Sequence, residues 1–104
     1  MLVGFEKVAT TAQLPEGGRL SVVCDGRAVL VFHAAGKFHA VEDICSHDGQ
    51  PLTDGKLVGC AIECPRHGAK FDIRNGRALC MPAVEGIATF EVQVEGGDVW
   101  LRAN

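Results

Sequence analysis

The chain has 104 residues, ten Lys and Arg against thirteen Asp and Glu, a formal net charge of −3 and five cysteines. The scattered basic residues form no stripe for nucleic acid, and no apolar run approaches the ~18 residues of a bilayer-spanning helix. An odd number of cysteines argues against a secreted disulfide framework. One domain, 1–104, is the expectation at this length. The opening Met1-Leu2-Val3-Gly4-Phe5-Glu6 lacks the basic residues and long apolar stretch of a secretory signal. A cytoplasmic protein with reduced cysteines, and with neither nucleic acid nor membrane as partner, is expected.

Thirteen glycines and apolar–polar alternation predict short strands, with no sustained helical period. Residues 2–8 read as a strand, and 11–14, before Pro15, as a short helical turn. Residues 19–24 and 27–33 are rich in Val and Leu and are separated by Asp25-Gly26, a hairpin signal because both turn positions take positive φ. Ala34-Ala35-Gly36 turns the chain into a strand over 37–42. The middle is more broken, with brief strands expected at 56–58, 61–63, 70–72 and 77–79 and a tight turn at Asn75-Gly76. Residues 87–95 alternate well, and Gly96-Gly97 turns them into 98–102. The fold class is all-β: an antiparallel sandwich or barrel scaffold with a small inserted subdomain.

That insertion carries the chemistry. Cys45-Ser46-His47 is followed, after sixteen residues, by Cys64-Pro65-Arg66-His67. Each pair offers one soft sulfur and one imidazole nitrogen from a single turn, and two such turns facing each other supply four metal ligands. An S2N2 set suits zinc or an iron–sulfur centre. Gly49 and Gly68 beside the pairs would let backbone N–H groups approach bridging sulfides.

Cys-x-His followed by Cys-Pro-x-His-Gly-x-x-Phe-Asp, with Asn75-Gly76 and Met81-Pro82-Ala83 beyond it, resembles the Rieske iron–sulfur family. The resemblance covers about 43–83, the expected cluster-binding subdomain, and implies one [2Fe–2S] cluster per chain. By that resemblance Cys45 and Cys64 ligate the inner iron, and His47 and His67 ligate the outer iron. A third loop, ending in Pro82-Ala83, covers the cluster. Imidazole in place of thiolate leaves the oxidised centre without net charge. Adding an electron then costs less in a low-dielectric site than with four thiolates, which raises the potential.

Within the family, high-potential respiratory members carry extra cysteines joined by a disulfide, where this chain has Gln50 and Arg66. They also aim serine and tyrosine hydroxyls at the cluster sulfurs, where this chain has Ala69 and Phe71. Two missing donors lower the potential by on the order of 100–250 mV. The expectation is a midpoint below zero, near the bottom of the roughly −150 to +300 mV Rieske range.

The resemblance therefore implies a low-potential ferredoxin rather than an enzyme. It would accept electrons from a flavin-containing ferredoxin reductase and pass them to a terminal, aromatic-ring-hydroxylating oxygenase. Only 37 residues, none of them histidine, follow His67, too few for a 2-His-1-carboxylate oxygenase site. A small Rieske subunit of a reductase such as nitrite reductase is the alternative, and a zinc-binding interaction module is a third. Cys24, Cys60 and Cys80 are expected to pack rather than ligate, although a Cys60/Cys64 ligand pair is conceivable. His33 and His39 read as scaffold residues, and Phe90 and Trp100 as core. Arg66 and Lys70 read as solvated charges or docking residues. Asp48, Asp54 and Glu63 could face a basic partner. Leu52, Met81 and Pro82 are candidates for an apolar docking patch.

Overall fold

The computed structural model describes residues 3–45, 51–65, 68–80 and 85–103. Among these, ten strands form two antiparallel sheets. The larger sheet contains β1 (Glu6–Thr10), β2 (Arg19–Cys24), β3 (Arg27–Ala34), β4 (Lys37–Glu42), β9 (Thr89–Glu95) and β10 (Asp98–Ala103). Its order is β1-β10-β9-β4-β3-β2. The smaller sheet runs β5 (Lys56–Val58), β6 (Ala61–Glu63), β7 (Lys70–Asp72) and β8 (Ala78–Cys80) in sequence order. It is inserted between β4 and β9, as the sequence implies.

The scaffold hairpins follow from local turn chemistry. Asp25 and Gly26 have φ of 55° and 72°, and Ala35 and Gly36 have 54° and 75°. Gly96 and Gly97 have φ of 62° and 82°. Each pair therefore makes a left-handed two-residue turn that matches strand twist. Ala35 is the costly member, because it has a Cβ in the left-handed region. Glu16 compensates: its carboxylate accepts the Ala35 amide at 2.9 Å and the Gly36 amide at 2.8 Å.

The sheet curls until its ends almost meet. The Asp25 amide donates to Glu6 Oε1 at 3.2 Å, and the Cys24 thiol contacts the Leu101 carbonyl at 3.9 Å. Val29, Val31, Ala40, Phe90, Val99 and Leu101 fill the resulting barrel. Leu30 and Phe32, on the opposite face of β3, join Val41, Ile62, Phe71 and Ile73 in a second core under the small sheet. Burial on both faces explains why β3 reads as an unbroken apolar run.

Several boundaries differ from expectation, among them the ends of β1, β3, β8 and β10, which run one or two residues further. The first strand begins at Glu6, because Gly4 turns the chain with φ 80°; residues 1–2 lie outside the described residues. The helical turn is a single 3-10 turn, Thr11–Gln13. Strand β8 starts at Ala78 because Arg77 belongs to the preceding turn, its carbonyl accepting the Asp72 amide at 2.9 Å. Strand β9 starts at Thr89 because the Ile87 amide is bound to the Gly76 carbonyl at 2.7 Å. Trp100 is half-buried and outside both cores: its cross-strand partners are the exposed Lys7 and Gln93, while Val99 and Leu101 face inward.

Candidate metal centre

The first ligand loop leaves the scaffold just after β4. The Asp43 amide donates to Ala28 on β3 at 2.9 Å, and the chain then bends into Cys45, whose side chain is fully buried. It re-enters the described structure at Pro51. The Leu52 amide donates to Asp43 Oδ1 at 2.7 Å, and the Thr53 hydroxyl donates to Asp43 Oδ2. Gly55 closes the turn by donating to the Leu52 carbonyl at 2.8 Å.

The second loop is closed by its own backbone. The Cys64 amide donates to Ala69 O at 2.6 Å, and the Gly68 amide returns to Cys64 O at 3.1 Å. Gly68 sits at φ 74°, which glycine adopts at no steric cost. Its N–H is taken by the Cys64 carbonyl. The fold requires glycine here for its backbone angle.

Cys45 and Cys64, both 1% exposed or less, belong to one core with Leu52, Ile62, Ala69 and Phe71. Two soft sulfur donors thus come from two loops into one dry region. That donor chemistry fits the inner, thiolate-held end of an iron–sulfur centre. His47 and His67 lie outside the described residues, as do Gly49, Gln50 and Arg66, and so do Asp48, Met81 and Pro82.

Other residues are placed plainly. Leu52 is fully buried, so it cannot form a docking patch; an apolar loop residue near ligands reads as exposed only if the packed sheet beneath it is overlooked. Cys24 is buried, and burial, then Glu6 and Asp25, push its thiol pKa up. Cys60 is half-buried, with its carbonyl accepting the Ile73 amide at 2.9 Å. Cys80 is exposed, and its thiol donates to Gly68 O at 3.5 Å, so β8 is tied to the second loop. His33 stacks on Phe38 at 4.1 Å between centroids, with Nδ1 3.0 Å from Leu14 O. Lys70 lies 4.0 Å from Glu63, a loose pair of half-buried residues. Asp54 is exposed.

Two groups escaped the sequence reading. Asp43 and Arg19 hold the first loop, with Arg19 donating to Thr53 O at 3.2 Å and to Gly55 O. Asp72 and Arg74 pair at the far end of the small sheet. An Asp just before a Cys-x-His motif was the available signal for the first group. Asp-x-Arg just before an Asn-Gly turn was the signal for the second.

A curled scaffold sheet carrying a small sheet, with two cysteines from separate loops buried in one core, fits an iron–sulfur class of protein. The chain belongs to the Rieske [2Fe-2S] domain family, whose model matches residues 4–91, and a Rieske-type [2Fe–2S] cluster is its cofactor. Within that family it is similar to ferredoxins, the electron carriers of dioxygenase systems. It is 37% identical over 89 residues to the ferredoxin component of the naphthalene 1,2-dioxygenase system of Pseudomonas aeruginosa, with 86% of each chain covered. It is 38% identical over 91 residues to the 3-phenylpropionate/cinnamic acid dioxygenase ferredoxin subunit of Escherichia coli (strain K12), covering 86% of this chain and 85% of the relative. Among solved structures, the ferredoxin of carbazole 1,9a-dioxygenase from Nocardioides aromaticivorans IC177 superposes with a TM-score of 0.90 at 29% identity, over 96% of this chain and 98% of that one. A chain in the complex of reduced oxygenase and oxidised ferredoxin in carbazole 1,9a-dioxygenase superposes with a TM-score of 0.88 at 31% identity, over 95% and 93%. Among the described residues, no helix is long and apolar enough to cross a membrane.

Proposed function

We propose that this chain takes one electron at a time from a flavin-containing ferredoxin reductase. It then delivers each electron to the Rieske centre of a terminal, aromatic-ring-hydroxylating oxygenase in the cytoplasm. The observation that carries this reading is the 37–38% identity to ferredoxin components of two aromatic dioxygenase systems. The whole of 1–104 acts as one Rieske domain, with the cluster subdomain at about 43–83. Cys45 and Cys64 hold the inner iron, and His47 and His67 the outer.

The cluster supplies reversible one-electron storage without bond-making. The protein keeps the sulfur end dry, since Cys45 and Cys64 sit among Leu52, Ile62 and Phe71. It also leaves two positions beside the second loop without hydroxyl donors, because Ala69 and Phe71, both fully buried, carry none. Fewer hydrogen bonds to the sulfurs favour a low potential. Partner encounters are brief and bury little surface, as suits redox exchange.

The test is anaerobic reconstitution. The purified brown protein, assayed for iron and acid-labile sulfide, is mixed with reduced flavoprotein reductases and then with oxidised oxygenases of ring-hydroxylating systems. Bleaching by a reductase, and recovery of colour on adding an oxygenase, is expected. Tight co-purification with a large catalytic reductase subunit, with no transfer to any oxygenase, would sink the carrier reading.

A further inference from the structure

We propose that Asp43 and Arg19 are positioning residues for the cluster. They fix the point at which the segment carrying Cys45 and His47 returns to the scaffold. That segment leaves β4 at Asp43 and returns at Leu52, and one carboxylate stands at both ends. Asp43 Oδ1 accepts the Leu52 amide at 2.7 Å and Oδ2 accepts the Thr53 hydroxyl. The Asp43 amide is itself bound to Ala28 O at 2.9 Å, so the clamp is anchored in the large sheet.

Arg19 grips the same turn from β2. Its Nη1 donates to Thr53 O at 3.2 Å and to Gly55 O, while the guanidinium carbon lies 5.8 Å from the Phe32 ring centre. Gly55 lets the turn press against β6: a Cβ there would overlap Glu63 O and stand 2.9 Å from Leu52 O. Glu63 immediately precedes Cys64. One short turn therefore contacts β2, the end of β4 and the strand that delivers the second cysteine. The Leu52 side chain shares a core with both Cys45 and Cys64, so any shift of the turn moves packing common to both loops. Hydrogen bonds to a carboxylate are the strong kind, and holding ligands in place is the role such outer contacts play at metal sites.

The proposal rests on the chain holding a Rieske cluster; an absence of iron and sulfide in the parent would reject that reading, not the clamp. The test uses holoprotein of the parent, Asp43→Ala, Asp43→Asn, Thr53→Val and Arg19→Met. Arg102→Met serves as control, because its guanidinium pairs with Glu91 at 2.6 Å and lies over Phe5. Two quantities are read: the rate of visible bleaching in excess chelator, and the paramagnetic resonance line shape after reduction. Asp43→Ala is expected to bleach at least about fivefold faster with a broadened spectrum, as loss of hydrogen bonds to a charged group implies. Thr53→Val and Arg19→Met should fall between it and the parent. Asp43→Asn keeps the Leu52 acceptor and should stay within about twofold of the parent. If Asp43→Ala yields no holoprotein, the order of Thr53→Val, Arg19→Met and Asp43→Asn decides. Parental bleaching and line shape in Thr53→Val and Arg19→Met, or equal acceleration by Arg102→Met, overturns the proposal.

Discussion

Arg74 holds Asp72 through two parallel hydrogen bonds, Nε to Oδ1 at 3.0 Å and Nη2 to Oδ2 at 2.8 Å, and the Arg74 amide adds a third to Oδ1 at 2.8 Å. The carboxylate belongs to a residue only 5% exposed, while its partner faces solvent. The Asp72 backbone meanwhile closes the following turn: its carbonyl accepts the Gly76 amide at 2.7 Å, and its amide donates to Arg77 O at 2.9 Å. Replacing Asp72 with Ala removes the acceptor from all three side-chain bonds. Loss of charged hydrogen bonds predicts a cost of about 2–3 kcal/mol, to be read from urea unfolding of the holoprotein near neutral pH. The side-chain bond from Arg74 is the main cause holding the Asp72 pKa below its ordinary value, against burial. A depressed folded pKa gives stability that is complete above the unfolded carboxylate pKa and is lost as pH falls through the folded value. Arg74→Ala should therefore move the acid limb of unfolding to higher pH.

His39 gives a second, separable pH effect. It lies on β4 opposite Phe32 and is half-buried. Burial chiefly, then the Arg74 and Lys37 charges, push its pKa down, with Asp72 opposing. The folded state thus disfavours the proton. Stability is complete above the unfolded histidine pKa of about 6.5 and declines as pH falls from there through the folded value. His39→Gln should flatten this decline. Subtracting the variant's thermal-unfolding profile from the parent's cancels groups common to both, and a difference flat with pH would refute the assignment.

Ala69 and Phe71 allow the potential to be tested in the opposite direction. Both are fully buried next to the second loop and neither carries a hydroxyl. Ala69→Ser and Phe71→Tyr should each raise the midpoint by tens of millivolts, and together by on the order of 100–250 mV at most, given the strength of charged hydrogen bonds and ~59 mV per tenfold for one electron. Direct voltammetry reads this. A parent midpoint above about +100 mV would contradict the control of potential by sulfur hydrogen bonds as applied to this chain.

What the sequence discloses here divides along local and non-local physics. The scaffold hairpins are legible because Asp25-Gly26 and Gly96-Gly97 encode turn geometry in two adjacent residues. The family is legible because Cys-x-His and Cys-x2-His are short and chemically unusual. The roles of Leu52 and Trp100 are not legible that way. Leu52 is buried in a core to which β3, distant in sequence, contributes Leu30 and Phe32. Trp100 leaves the core because its register with Lys7 and Gln93 fixes its face. Asp43 and Arg19 look like ordinary surface charges until the fold brings residues 52–55 between them.

The two cores predict an uneven response to cluster removal. Cys45 and Cys64 belong to the core beneath the small sheet, whereas the barrel interior around Val31 and Val99 contains neither. With Cys45 and Cys64 as the proposed ligands, taking out the cluster would leave the first core without a covalent tie between loops. Chelation of the reduced protein should raise hydrogen exchange in β6 and β7 by at least about tenfold, since local opening follows local stability. The β3 and β10 amides facing the barrel should change much less. Uniform acceleration across both sheets would mean that the small sheet does not open as its own unit.

Gly76 and Gly36 separate backbone strain from steric contact. Both have φ near 75°, at 76° and 75°. A Cβ on Gly36 meets nothing within 4 Å, whereas one on Gly76 would overlap Ile87 O and reach Thr89 Cγ2 at 3.0 Å. The Ile87 carbonyl is backbone, held where the Ile87 amide bonds Gly76 O at 2.7 Å, so it cannot swing aside as a flexible side chain would. Gly36→Ala should cost only the left-handed penalty, about 1–2 kcal/mol. Gly76→Ala should cost that much again or more, because the Ile87 backbone on the approach to β9 must move. Comparing the two variants by urea unfolding cancels the dihedral term, and equal costs would show that the Gly76–Ile87 approach relaxes without penalty.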